Sequence, residues 1–187
     1  MFNYTNCITW SMLMQREEGE SELITFRLVQ PEADRATIVT FYADISEEEA
    51  AQGGFHFDEA EYLEFAKQKA ADLPEGFVFM ERDGETIGEL VLRKAEYEGR
   101  EVGYISFIYL IQAARGKGYS EQMIDYAERL FTKLNLTEYH LRVAQANARA
   151  IRFYEKHGFY ILGEEQNSIS QACWRMGKRI ARLGRGA

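Results

Sequence analysis

Residues 76–111 read GFVFMERDGETIGELVLRKAEYEGREVGYISFIYLI, three apolar stretches parted by Asp83-Gly84 and Glu98-Gly99. An acidic residue followed by glycine between alternating runs is a hairpin signal, because both residues tolerate the backbone twist of a tight turn. Strands over 77–82, 86–96 and 101–111 therefore run antiparallel. This constrains the fold more than any other stretch: a meander commits the chain to an antiparallel sheet and argues against a doubly wound parallel one. The third strand then leads through QAARGKGYS into helix-forming sequence, with Gly116 and Gly118 on the turn.

The flanks complete a mixed α/β pattern. A strand over 22–29 is followed by a helix over 31–44, with Pro31 suited to its first turn, and a second helix over 57–73 with Asp58 as N-cap. Pro74 and Gly76 end that helix. After the glycine turn, Met123, Ile124, Tyr126, Ala127, Leu130 and Phe131 recur at helical spacing over 119–134. A strand over 138–144, a helix over 147–157 capped by Asn147, and strands over 159–165 and 171–178 close the chain. The fold class is mixed α/β, with a central and mostly antiparallel sheet of about seven strands flanked by about four helices. One domain over 21–180 is expected, after an extension of residues 1–20 and before a basic tail of residues 181–187.

Composition removes several classes of function. A net charge of −8 argues against a nucleic-acid binder, which needs a basic surface. No window approaches the roughly 18 apolar residues of a membrane span. The start, MFNYTNCITWSML, lacks a basic leader, so a cytoplasmic location is expected. Cys7 and Cys173 make no disulfide framework, and His56, His140 and His157 lie too far apart for metal spacing, so no metal is expected. Acids outnumber bases from Glu17 to Glu75, a stretch that also holds Phe41, Tyr42, Phe55, Phe57 and Tyr62. That combination suits a cationic partner.

A glycine turn at a helix N-terminus is an anion site, because the first N–H groups of the helix lack partners and glycine puts no Cβ in the way. Arg115 and Lys117 add positive charge, so a phosphorylated ligand is expected over Arg115, Gly116, Lys117, Gly118, Tyr119 and Ser120. Neither nucleotide motif fits. A P-loop needs glycine at position 111, which is Ile, and Ser or Thr at 118, which is Gly; a dinucleotide fingerprint needs glycine at 121, which is Glu.

Together, RGKGYS and the downstream NARAIRFYEKHGF resemble the GNAT superfamily of acyl-CoA-dependent N-acetyltransferases. Arg115, Gly118 and Ser120 match its phosphate loop, with serine in place of the last small residue; Asn147, Ala150, Tyr154, Lys156, Gly158 and Phe159 match its following helix. The resemblance covers residues 22–178 and implies acetyl-CoA as cosubstrate, its diphosphate on main-chain N–H groups from Arg115 to Ser120 and its pantetheine arm along Ile108–Leu110. It implies a V-shaped splay between the fourth and fifth strands, after residue 138. Asn147 would cap its helix or bond the arm, and Tyr154 would assist departure of the thiolate. The base is open among Glu89, Glu101, Tyr104 and a water relay. The acceptor is a primary amine of a small molecule or peptide, attacked directly, with its choice resting on residues 31–75 and 165–172. A non-catalytic acyl-CoA sensor is the alternative, and late strands of such folds allow a homodimer.

Overall fold

The computed structural model describes residues 10–15, 21–50, 58–167 and 170–181. The strands are β1 (Trp10–Gln15), β2 (Ser21–Leu28), β3 (Phe77–Arg82), β4 (Glu85–Tyr97), β5 (Arg100–Leu110), β6 (Glu138–Ala144), β7 (Tyr160–Gln166) and β8 (Ala172–Arg179). The helices are α1 (Arg35–Ala50), α2 (Glu59–Asp72), α3 (Tyr119–Lys133) and α4 (Ala148–Lys156). They give the predicted mixed α/β class. The strands form one sheet in the order β1-β2-β3-β4-β5-β6-β8-β7. β5 and β6 run parallel, and the β1–β2, β2–β3, β3–β4, β6–β8 and β7–β8 pairs antiparallel. The strand beyond the predicted seven is β1, which lies in the stretch read as an extension and pairs with β2 from Trp10↔Phe26 to Gln15↔Ser21.

Both meander turns are built as their sequences require. Asp83 and Gly84 have φ of 52° and 85°, Glu98 and Gly99 of 50° and 73°, the left-handed pair that a two-residue hairpin turn needs. The first helix departs from expectation. Pro31 lies in a turn and α1 begins only at Arg35. The cause is Asp34: its carboxylate takes the Gln30 N–H at 2.7 Å and both terminal nitrogens of Arg27 at 2.9 and 3.1 Å, holding the turn closed ahead of the helix.

The chain divides into two compact units, one of residues 1–91 with 107–119, the other of 92–106 with 120–187. In the first, Ile38 and Phe41 of α1 and Tyr62, Leu63 and Ala66 of α2 bury against Phe77, Phe79, Val91 and Tyr109. Phe41 meets Phe79 edge-on and lies 4.7 Å from the Tyr109 ring. Burying each of the larger apolar side chains of this set, Ile38, Phe41, Leu63, Phe77, Phe79 and Val91, is worth about 1.5–3 kcal/mol.

In the second unit the apolar stripe of α3 is buried as its spacing predicts, Met123, Ile124, Tyr126, Ala127, Leu130 and Phe131 alike. Gly103 allows the approach: a Cβ there would lie 2.7 Å from the Phe131 ring. α3 thus covers the Gly103 face of the sheet. Tyr139 shares that face, packing its ring on Phe131 and Phe159, and Phe159 packs on Tyr154 of α4. Tyr104 and His140, the next residues along β5 and β6, point to the opposite face. The parallel ladder is short, Gly103↔Tyr139 and Tyr104↔His140, whereas β6 pairs with β8 along its whole length from Glu138 to Ala144. Such a short ladder fits the splay expected there.

Candidate active site

The predicted cofactor residues fall in both units. Ile108, Leu110 and the loop through Tyr119 belong to the first, Ser120, Asn147 and Tyr154 to the second. At the loop, Gly116 and Gly118 take φ of 77° and 85°, and a Cβ at either would meet nothing within 4 Å. The glycines therefore serve backbone conformation and leave space over the main chain. Among the described residues no backbone hydrogen bond engages the N–H of Gly116 or Gly118. Open space, N–H groups without backbone partners and a helix start directly behind them fit a diphosphate.

The loop is anchored from both ends. Arg115 turns back on β5, its Nε donating to the Leu110 carbonyl at 2.9 Å and its guanidinium lying 5.8 Å from the Tyr109 ring. Tyr119 is a core residue, and its hydroxyl donates to Glu22 of β2 at 2.6 Å. Of Tyr119, then, only the main chain is available to a ligand, while Lys117 is exposed and Ser120 half-buried.

Tyr154 is held by the way its helix ends. Gly158, at φ 84°, donates to the Glu155 carbonyl, and Phe159 donates to the Tyr154 carbonyl at 3.0 Å. That is the paired capping of a glycine-terminated helix, and it brings the Phe159 ring onto the tyrosine. The Gly-Phe ending of the motif is therefore structural. Burial pushes the phenol pKa up to about 12. At the other end Asn147 caps α4, accepting the Ala150 N–H at 3.0 Å.

The three candidate bases now separate. Glu101 is exposed and paired to Lys94 at 2.9 Å, an ordinary cross-strand ion pair. The Tyr104 hydroxyl accepts from Arg142 Nε at 2.9 Å. Glu89 is different: it is fully buried on β4, with Oε1 accepting from the Tyr62 hydroxyl at 3.0 Å and Oε2 meeting no partner among the described residues. Burial raises its carboxyl to about 8, against the pull of the Tyr62 hydrogen bond and aided by Asp34. Tyr62 and Glu89 stand 27 residues apart on a helix and a strand, so no local pattern announces their contact.

The aromatic residues of the acidic stretch divide. Phe41 and Tyr62 belong to the core, Tyr42 stacks on Tyr62 at 3.6 Å, and Phe55 and Phe57 lie outside the described residues. Tyr109 donates to Asp44 at 2.5 Å, a contact with no sequence signal. Cys7 and His56 also lie outside the described residues; Cys173 is buried, and His140 sits between Glu138 and Arg175. Among the described residues no group of three or more His, Cys, Asp or Glu side chains could hold a metal ion, and no helix is long and apolar enough to cross a membrane.

Solved structures share the architecture. Ard1 from Thermoplasma volcanium is similar at 20% identity and TM-score 0.66, over 85% of this chain and 99% of that one. Naa20 from Chaetomium thermophilum, solved with a bisubstrate analogue, has 18% identity and TM-score 0.68 over 83% and 86%. A spermidine N-acetyltransferase from Vibrio cholerae has 22% identity and TM-score 0.65 over 87% and 97%. At these identities the likeness is one of fold. Comparison with curated proteins returned no match. The profile of the acetyltransferase (GNAT) family matches residues 40–159, more than half of the chain and including both the glycine loop and the Tyr154 helix, and the chain belongs to that family.

Proposed function

We propose that the protein moves the acetyl group of acetyl-CoA to the primary amine of a small molecule or peptide by direct attack. Acetyl-CoA supplies the acetyl thioester; the other roles fall to the chain. The N–H groups from Gly116 to Ser120 hold the diphosphate, the Arg115 N–H of the expected set being taken by the Gln112 carbonyl at 3.2 Å; the strand end at Ile108–Leu110 pairs with the pantetheine arm, and an N–H near Leu110 polarises the carbonyl. Asn147 keeps α4 in register, and Tyr154 donates a hydrogen bond toward the departing sulfur. At a pKa of about 12 it does not surrender its proton, because full transfer to a thiolate of pKa 8.5 is uphill by ~5 kcal/mol.

The observation that carries the amine half of this reading is Glu89. An ordinary carboxylate accepting the proton of an alkylammonium works against roughly 8 kcal/mol; a carboxyl at about 8 works against roughly 3 kcal/mol. A buried acid with one unpaired oxygen is poised for that step. The acidic, aromatic composition of the first unit favours an acceptor that arrives as a cation.

The test is thiol release from acetyl-CoA against a panel of primary amines, beside calorimetry with acetyl-CoA alone. Turnover of at least one amine class, lowered about 100-fold by Glu89→Gln with acetyl-CoA affinity retained, is the expected result. Tight binding of acetyl-CoA with no thiol release from any amine would replace this reading by that of an acyl-CoA sensor.

A further inference from the structure

Three arginines of the second unit converge on one tyrosine. Arg93 of β4 stacks its guanidinium 4.4 Å from the Tyr104 ring, with Nε on Ser106 Oγ at 3.1 Å. Arg142 of β6 donates to the Tyr104 hydroxyl, and Arg175 of β8 lies 5.5 Å from the same ring. Their charges are poorly matched. Glu165 pairs with Arg175 and stands 3.7 Å from Arg142, and among the described residues Arg93 meets no carboxylate. Burial foremost lowers the Arg93 pKa, and Arg142 and Arg175 lower it further although Tyr104 opposes them. Three cations sharing one carboxylate repel one another unless something anionic joins them.

We infer that Arg93, Arg142 and Arg175 around Tyr104 form an oxyanion subsite that takes a carboxylate or phosphate carried by the amine acceptor. A guanidinium is the side chain suited to such groups, since its planar fork meets two oxygens at once. The cluster occupies the sheet face opposite α3 and α4, which pack on the Gly103 side, so neither helix of this unit covers it. Arg142 keeps 39% of its side chain exposed. The cluster also grips the segment on which acceptor choice is expected to rest: Arg142 donates to the Gln166 carbonyl at 2.9 Å, and Arg175 holds Glu165, both residues at the end of β7 just before the β7–β8 loop. The inference rests on the acetyl-transfer reading for the identity of its ligand and narrows the acceptor to a molecule bearing both an amine and an oxyanion.

Three matched amines test it: an aminoalkyl carboxylate, an aminoalkyl phosphate and the aminoalkyl amide of the same length. Thiol release is measured for each with the unaltered protein and with Arg93→Met, Arg142→Met and Arg142→Lys. At least one anionic amine is expected to show a KM about tenfold below that of the amide. Either methionine variant erases that preference, Arg142→Lys keeps most of it, and the KM for acetyl-CoA stays unchanged in all. The better of the two anionic amines identifies the group. Equal use of charged and neutral amines, or the same loss for all three in the methionine variants, would overturn the subsite.

Calorimetric titration of the N-acetylated forms of the same compounds separates the two readings. Preference for the anionic form, lost in Arg142→Met, without turnover of any amine leaves the subsite standing and removes acetyl transfer. Turnover blind to charge does the reverse.

Discussion

A phenol with its pKa pushed up to about 12 keeps its proton across the neutral range, so in the proposed reaction the part for Tyr154 is to offer a hydrogen bond rather than to titrate. Tyr154→Phe should lower kcat about 10- to 100-fold, with the KM for acetyl-CoA little changed and no shift in the pH profile. Steady-state kinetics across pH reads all three. Glu89, the base proposed above, is the group expected to titrate. As a base it must be ionised, so kcat/KM should rise with pH through about 8. With an acceptor whose own amine titrates well away from that range, the limb should vanish in Glu89→Gln. Legibility differs between the two residues. Tyr154 stands in a local motif, eight residues into a stretch whose cap and terminator are both visible. Glu89 acquires its raised pKa from burial, with Asp34 adding to it and the Tyr62 hydrogen bond opposing, none of which a reading of β4 alone supplies.

At the scale of elements, the strand turns and the ends of α2, α3 and α4 were legible because they are decided within a few residues, whereas the helix expected over 31–44 spans Arg35–Ala50. Asp83-Gly84 and Glu98-Gly99 adopt the left-handed φ that their chemistry permits. Just past α3, Asn135 takes φ 59° and the Leu136 N–H reaches back to the Phe131 carbonyl at 2.9 Å, the same device that Gly158 provides for α4. The start of α1 was misplaced because its competitor, the Arg27–Asp34 pair, draws on a neighbouring strand. For the glycine loop, Gly118→Ala should cost about 1–2 kcal/mol of loop strain and weaken acetyl-CoA binding about tenfold, since φ is 85° but the space beside it is open. Calorimetry and thermal melts check it. An equal loss of affinity with a surface substitution such as Lys133→Ala would sink the assignment. Gly103→Ala acts differently. Its Cβ would press on the Phe131 ring at 2.7 Å, so it should destabilise the fold by roughly 1–3 kcal/mol or more in a denaturant titration.

For the whole molecule, the buried Glu89 couples stability to pH. Its pKa is about 8 in the folded chain against 4.5 when exposed, so the folded state binds the extra proton between those values. Stability from this group is complete below about pH 4.5 and is lost as pH rises through about 8, by up to ~5 kcal/mol. His140 works in the other direction. Burial foremost depresses its pKa although Glu138 opposes, so its contribution is present above 6.5 and is lost as pH falls. Urea midpoints of Glu89→Gln and the unaltered chain should therefore diverge steadily from pH 5 to pH 8.5, with the variant gaining. The alternation of apolar residues, the turn chemistry and the two motifs determined, without any structure, the mixed sheet, the order of its elements over residues 22–178 and the glycine loop, because each is written in neighbours along the chain. Only the tertiary structure decided that β1 joins the edge, that Glu89 is buried with one oxygen unpaired, and that three arginines from β4, β6 and β8 meet at Tyr104. Those facts depend on burial and on charges brought together across strands, and solvent exclusion is a property of the packed molecule that no local run of residues carries.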